Sequence, residues 1–354
     1  MKSVTPKGQK TLIEEVLDQG ICVKCGACVG ICPYFSYRDG QVVALDACEA
    51  ETWRCLQVCP RADYESTALE GDLKDTSGGR EIGPYMEIRA ARAKDGKSRA
   101  AGQYGGIVSA LLISALEKGH IKSAVVTDSG NDLSPSGRLI RSSIEILECA
   151  GSRYSASGCL AALNTAIRAG EDHIAVVGLP CQMEALAKMA RSTPDGKEKI
   201  CRVTLRIGLF CTWALDYRKL RAFIKGNNIN GPVKKYDIPP PPAEVFKVLT
   251  RDGWSEFPLG EIRSLVQKGC GLCSDMTAEW ADVSVGTLEG EDDWNTVVIR
   301  TERGWQFFRE AVKAGLVEAG DLPGKSLDHL KEASSNKRAR AEAAREERTG
   351  QRIL

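Results

Sequence analysis

No stretch of eighteen consecutive apolar residues occurs in the 354-residue chain, which argues against a conventional membrane-spanning helix. The opening MKSVTPKGQK is polar and has no signal-peptide core, so the chain is expected in the cytoplasm or peripherally at the cytoplasmic face of a membrane. Excess charge is missing too: 48 Lys and Arg against 47 Asp and Glu leave a formal +1, which gives no global reason for nucleic-acid binding. Histidine is scarce. His120, His173 and His329 fall at a helix end, before a strand and near the tail, and none is assigned a catalytic role. No G-x-G-x-x-G follows a predicted strand, so a dinucleotide would have to be held without that fingerprint. What the chain has in quantity is cysteine. Fourteen of them, in a chain without an export signal, point to metal or redox use rather than disulfides. A composition of 43% hydrophobic and 27% charged residues is that of a globular protein, long enough for about two domains plus a small module.

The densest group is Cys22-Val23-Lys24-Cys25-Gly26-Ala27-Cys28-Val29-Gly30-Ile31-Cys32-Pro33, a C-x2-C-x2-C-x3-C-P run with bacterial ferredoxin spacing. Two residues between cysteines let one tight loop aim three thiolates at three corners of a cubane, and Gly26 keeps the backbone close to it. The fourth cysteine of such a run ligates a second cluster, so a partner run is required. Downstream lie Cys48 and Cys55-Leu56-Gln57-Val58-Cys59-Pro60. The repeat is imperfect, because a full copy would set cysteines at 49 and 52, where the chain has Glu49 and Thr52. Under the ferredoxin rule Cys22, Cys25, Cys28 and Cys59 complete one set, leaving Cys32, Cys48 and Cys55 for the second. Glu49, Glu51 or Asp46 would then supply an oxygen, or the second site holds three irons. Zinc is the alternative for C-x2-C pairs, but four cysteines so tightly spaced and closed by Pro33 suit iron and sulfur better.

Residues 1–65 read as a helix followed by this ferredoxin-like module, too small to fold without its inorganic content. Residues 66–84 are polar and Gly-rich and read as a linker. From 85 to 235 strands alternate with helices: a strand at 85–93, a helix opened by Gly105-Gly106 and closed by Gly119, then strands at 121–127, 174–178 and 203–210 with helices between. Residues 236–325 form a further α/β portion with strands at 245–250, 281–286 and 295–301 and a helix at 305–314. The fold class is α/β, a mixed sheet with helices on both faces plus the small amino-terminal module. The tail, 326–354, has mixed charge without apolar periodicity and reads chiefly as a solvated helix or frayed end, with docking by its arginines as the other possibility.

Seven more cysteines follow the module. Cys270 and Cys273 form a C-x2-C pair flanked by Gly269 and Gly271. Cys181 and Cys211 each stand just past the carboxyl end of a predicted strand, where open α/β sheets bind ligands. Cys149, Cys159 and Cys201 read as small packed hydrophobes. Together with Gly105-Gly106, Gly151-Ser152-Arg153-Tyr154, Gly178-Leu179-Pro180-Cys181-Gln182, Gly208-Leu209-Phe210-Cys211, the Cys270–Glu279 segment and Ala281–Gly286, these residues carry a resemblance. The sequence resembles the beta subunits of coenzyme F420-reducing hydrogenase and related dehydrogenases over nearly all of 20–320. The resemblance implies a flavoprotein with FAD, an inner 4Fe-4S cluster held by Cys181, Cys211, Cys270 and Cys273, and hydride exchange with the deazaflavin coenzyme F420. The amino-terminal segment looks like the two-cluster ferredoxin addition of some relatives, giving three clusters in all. Gln103-Tyr104 precede the glycine pair where the family pattern has a Ser.

The expected route runs from F420 to FAD, to the inner cluster, to the amino-terminal clusters and then to other subunits of a hydrogenase, dehydrogenase or heterodisulfide reductase type of complex, peripheral to a membrane in some cases. A flavin is the natural converter because it accepts electrons in pairs or singly, the chemistry being the cofactor's. Candidate FAD contacts are the amides of Gly105 and Gly106, Thr127 and Asp128 at a strand end, Gly151, Ser152, Arg153 and Tyr154 in one loop, and Gly178. The acidic F420 tail calls for cations, and Arg89, Arg92 and Arg99 are candidates by position. Rival readings are an electron-wiring subunit that lacks its own F420 site, and a related enzyme using another donor.

Overall fold

The computed structural model describes residues 8–50, 53–62, 79–128, 134–192, 196–229, 231–240 and 242–350. An eight-stranded mixed sheet dominates. Its strands are β3 (Glu87–Ala93), β4 (Ser123–Asp128), β5 (Ser136–Ile140), β6 (Ile174–Gly178), β7 (Val203–Leu209), β11 (Val283–Thr287), β12 (Asn295–Ile299) and β13 (Val317–Gly320), in the order β13-β3-β12-β11-β7-β6-β4-β5. The β11-β7-β6-β4 ladder is parallel, and the remaining pairs are antiparallel.

Alternation along β6 shows why the sheet is covered twice. Ile174 and Val176 face Leu160, Leu163, Met183 and Leu186, from helices Cys159–Arg168 and Pro180–Arg191. Ala175 and Val177 face the opposite core of Ile107, Leu111 and Leu112 from helix Ile107–Glu117, together with Phe308 and Ala311 from helix Glu302–Lys313. A strand whose every residue is buried, as in β6 and β12, belongs to a sheet with two dry faces.

The chain after 236 divides between two sheets. A separate three-stranded sheet of β8 (Lys235–Asp237), β9 (Val245–Thr250) and β10 (Gly253–Pro258) packs Phe246 and Val248 on helix Tyr217–Gly226, whereas β11, β12 and β13 complete the main sheet. The amino-terminal segment adds the hairpin β1 (Phe35–Arg38) and β2 (Gln41–Ala44) and a small core of Leu12, Val16, Ile21, Phe35 and Leu56. Most of the expected linker lies outside the described residues, and its last part forms a short helix, Gly79–Ile82.

The tail corrects the reading of a solvated or frayed end. It is one helix, Gly324–Thr349, docked on the core with Ser334 and Ala341 fully buried and Lys337 2% exposed. Its charges reach backbone carbonyls: Lys337 Nζ to Cys211 (2.5 Å) and Asp275 (2.7 Å), Arg345 to Leu272 (2.8 Å), and Arg348 to Glu15 (2.9 Å). Small side chains admit the helix, and the long stems of the basic residues lie along the surface beneath. Among the described residues no helix is long and apolar enough to cross a membrane.

Candidate redox site

The carboxyl ends of β6 and β7 place two of the inner cysteines. After Gly178 the chain enters helix Pro180–Arg191 with Pro180 at its first position and Cys181 in its first turn. Gln182 fixes that turn, accepting from the Leu179 amide (2.7 Å) and donating to Ser157 O (3.0 Å). Cys211 follows β7, its amide donating to Met276 O (2.9 Å). Cys270 sits on the turn Lys268–Leu272 and Cys273 caps it. A Cβ on Gly269 would lie 2.0 Å from Ile21 O, so only glycine lets this turn meet the amino-terminal module.

All four cysteines line one cavity of about 320 Å³, together with Val23, Arg61, Ala156, Trp213, Gln267 and Lys337 among others. Burial raises the Cys181 thiol well above its ordinary range, with Cys273 adding to it, and pushes Cys211 up to about 12. Among the described residues no three His, Cys, Asp or Glu side chains converge on a single-ion site. Four cysteines lining one cavity supply the number and kind of donors that a four-iron cube takes.

The module repeats the pattern twice. Cys22, Cys25, Cys28 and Cys59 lie within electrostatic reach of one another; burial first, and then Cys59, pushes Cys22 up to about 11. Cys55 is pushed up to about 12 by burial, with Cys32 and Cys48 as its thiol neighbours. Amides point at sulfur in each set: Lys24 N to Cys22 Sγ (3.4 Å), Arg61 N to Cys59 Sγ (3.5 Å), Ala50 N to Cys48 Sγ (3.5 Å) and Ala214 N to Cys270 Sγ (3.4 Å). Of the candidate oxygen ligands, Asp46 accepts from the Ala47 amide, Glu49 is exposed, and Glu51 lies outside the described residues. Cys149 and Cys159 are buried, as packed hydrophobes would be, but Cys201 is exposed, its thiol donating to Glu198 O (2.9 Å), which corrects that reading.

The expected flavin residues divide into two groups. Gly105 and Gly106 are held by close packing. A Cβ on Gly105 would meet Asn295 Oδ1 at 2.7 Å, one on Gly106 would meet Ser98 O at 2.5 Å, and Ile107 N already donates to Asn295 Oδ1. Gly178 is likewise pressed by Met183 and Gln182. The 151–157 loop is different. Tyr154, at φ 54°, accepts from Ile238 N through its hydroxyl (2.9 Å), while Arg153 Nε and Ser155 Oγ are buried without a hydrogen-bond partner. A cavity of about 290 Å³ opens there, lined by Pro135, Arg153, Ser155, Tyr217, Leu220, Arg221 and Tyr236. Gly151 and Ser152 lead into this loop. Thr127 Oγ1 bonds Ser157 Oγ (2.6 Å) and Asp128 pairs with Arg138 (3.2 Å). Ser155 lines this cavity and its neighbour Ala156 lines the four-cysteine cavity, so one strand of backbone separates the two.

Arg89 pairs with Glu87 and Asp321 and Arg92 with Glu318, so the charges of these two are already offset, while Arg99 is held by the carbonyls of Ala93 and Lys94. The side chains that sequence reasoning missed are Arg61, Glu184, Lys188 and Lys337. Lys188 donates to Cys59 O (2.9 Å) and Ala62 O (3.2 Å), and Glu184 lies 3.7 Å from Arg61. Helix Pro180–Arg191 therefore carries an inner cysteine at its start and grips the module one and two turns later. A carboxylate and a lysine at i and i+4 were visible, but not what they face.

Residues 88–164 match the family model described as coenzyme F420 hydrogenase/dehydrogenase, beta subunit N-term, and residues 171–325 match the one for its C terminus. The chain belongs to this family of beta subunits. It is 35% identical over 279 residues to the coenzyme F420 hydrogenase subunit beta of Methanothermobacter thermautotrophicus, covering 75% of this chain and 97% of that one. It is 29% identical over 318 residues to an F(420)H(2) dehydrogenase subunit of Methanosarcina mazei, covering 84% of each. Among solved structures, a chain of the F420-reducing [NiFe] hydrogenase complex from Methanosarcina barkeri matches with a TM-score of 0.71 at 29% identity, over 77% of this chain and 95% of that chain. The module cysteines and the tail helix lie outside the two family models.

Proposed function

We propose that this chain is an F420-linked oxidoreductase subunit that exchanges hydride between coenzyme F420 and FAD and conducts single electrons through three iron-sulfur centres to partner subunits. The observation that carries the reading is the pair of cavities back to back across Ser155-Ala156, one lined by four cysteines and the other by two arginines, two tyrosines and an unpartnered serine hydroxyl. Bound flavin supplies the change from paired to single electrons, and the clusters supply one-electron carriage. Cys181, Cys211, Cys270 and Cys273 hold the inner centre; Cys22, Cys25, Cys28 and Cys59 hold the next; Cys32, Cys48 and Cys55 hold the last. Arg153 and Arg221 offer charge to an anionic aromatic ligand, and Tyr236 and Tyr217 offer ring faces. The order of the wire follows from neighbours: Cys25 lies within electrostatic reach of Cys181, and Cys55 within reach of Cys28.

Anaerobically prepared protein should contain FAD and about twelve irons for three cubes, or about eleven if the site of Cys32, Cys48 and Cys55 holds three. Cys270→Ala should lose about four irons and keep its flavin. Unchanged iron in that variant, or a colourless protein rich in zinc, would overturn the reading. With an artificial one-electron acceptor the subunit should bleach or restore F420 absorbance, and no change at any concentration would leave electron wiring without an F420 site.

A further inference from the structure

The four-cysteine cavity has two buried cations in its wall, and both lie outside the two family models: Arg61 in the amino-terminal module and Lys337 in the tail helix. We infer that Arg61 and Lys337 are positioning residues that set the reduction potential of the inner centre, Lys337 acting on that centre alone and Arg61 on it and the first module centre together. The inference rests on the reading that the four cysteines hold an iron-sulfur cluster.

Arg61 is 9% exposed. Its Nε donates to Gly269 O (3.0 Å), its Nη1 donates to Pro60 O (2.6 Å), and its Nη2 is buried with no acceptor in the protein. A guanidinium keeps its charge and aims its donors in a fixed plane. With two of its nitrogens tied to carbonyls and the third left over in the wall of a cysteine-lined cavity, the missing acceptor is a sulfur of the group those cysteines bind. Arg61 also lies within electrostatic reach of Cys22, Cys25 and Cys59, so the same charge stands between two donor sets. Glu184 at 3.7 Å offsets part of it.

Lys337 has no carboxylate in ion-pair contact among the described residues: its ammonium donates to the carbonyls of Cys211 and Asp275 and is 2% exposed, and the Asp275 carboxylate, within electrostatic reach, offsets part of its charge. Taking up one electron makes a cluster more negative by one charge, so a fixed buried cation stabilises the reduced form more than the oxidised form. Net charge and hydrogen bonds to sulfur are among the main levers on cluster potential, and burial limits screening by salt. The device raises the potential of the inner centre, and it exists only when module, core and tail are assembled.

The test is a redox titration of the intact anaerobic protein, followed by the magnetic resonance signals of each reduced centre, with iron counted in every sample. Lys337→Gln, which keeps a hydrogen-bonding side chain and loses the charge, should lower the potential of the inner centre only. A tenfold loss in its one-electron equilibrium corresponds to about 59 mV. Arg61→Gln should lower two centres, whereas Arg61→Lys, which keeps the charge, should move them less. Lys325→Gln, exposed at the start of the same helix, is the control. Full iron with unchanged potentials in Lys337→Gln, or an equal shift in Lys325→Gln, overturns the inference while leaving the cluster assignment intact. Should Lys337→Gln fail to load, Lys337→Met and the two Arg61 variants carry the comparison under the same criterion. Unchanged iron in Cys270→Ala would instead remove the reading beneath it.

Discussion

Asp282 shows how one side chain joins the two halves of the sheet. It stands just before β11, is 1% exposed, and accepts from Arg206 Nη2 (2.8 Å), Arg206 Nε (3.1 Å), the Arg206 amide (2.8 Å) and Thr301 Oγ1 (2.9 Å). Burial alone pushes the carboxyl up, but the Arg206 guanidinium and these donors outweigh it and hold the group below the usual carboxylate range. Asp282→Asn leaves Arg206 without its counter-charge and should cost about 3–5 kcal/mol of stability in chemical denaturation. Because the folded pKa is depressed, the stabilisation is present above the unfolded value of about 3.9 and is lost as pH falls through the folded value. The difference between wild type and variant should therefore shrink in acid, and a constant difference from pH 7 to pH 2 would refute this account. In the sequence, Asp282 and Arg206 were two charges 76 positions apart with nothing to pair them. Cysteine was legible because cluster binding imposes short, fixed spacings; buried ion pairs impose none.

The tail helix is the element the sequence described least well. Apolar periodicity is the usual mark of a packed helix, and here the buried face is built from Ser334, Lys337 and Ala341, which register as polar or neutral. Its burial became visible only once the helix was seen to close the four-cysteine cavity and bond the Leu272 carbonyl between two of its cysteines. Ending the chain at Pro323 should open that cavity to solvent. The truncated protein is expected to give up about four irons to a ferrous chelator well before the rest, while the intact protein releases them together with the others. Equal release curves for the two would mean that the helix does not shield the centre. The strands and helices around the site were easier to read, since β6 is an uninterrupted apolar run, β7 repeats apolar residues at Val203, Leu205 and Ile207, β12 ends in Val297, Val298 and Ile299, and Gly119 and Pro180 mark helix ends. β9 was read at 245–250, but β5, β13, the hairpin β1-β2 and strands β8 and β10 were missed because short, half-exposed strands depend on packing rather than on their own residue pattern.

At the scale of the whole molecule, the module is fastened to the core by an apolar contact, where Val23, Ala27 and Val58 pack with Leu160, Leu163 and Met183, and by a set of polar bonds. Leu160 N donates to Cys25 O (3.1 Å), Asn164 Nδ2 to Ala27 O (2.9 Å) and Val29 O (2.7 Å), and Lys24 pairs with Asp216 (2.5 Å). Gly26 is obligatory at this contact: at φ 82°, a Cβ would lie 2.8 Å from Ala161 N. The α/β class and the alternation of strands and helices could be read from sequence, but the strand order could not, because it depends on which edge each crossover takes. That order puts the ends of β6 and β7 side by side and brings the last three strands back beside β3, so the two ends of the core share one sheet. The main sheet has two extensive apolar cores, one without any module residue and one that the module enters only through Val23, Cys25, Ala27 and Val58, whereas the module's remaining core is small and surrounds its cysteines. Removing iron should therefore unfold the molecule in parts. Hydrogen exchange on chelator-treated protein should show protection lost across residues 8–62 and the 268–273 turn, with β4, β6, β7 and β12 still protected. If the sheet lost protection at the same iron content as the module, the core would depend on the clusters as much as the module does, and the division of stability drawn from the two sets of apolar contacts would be wrong.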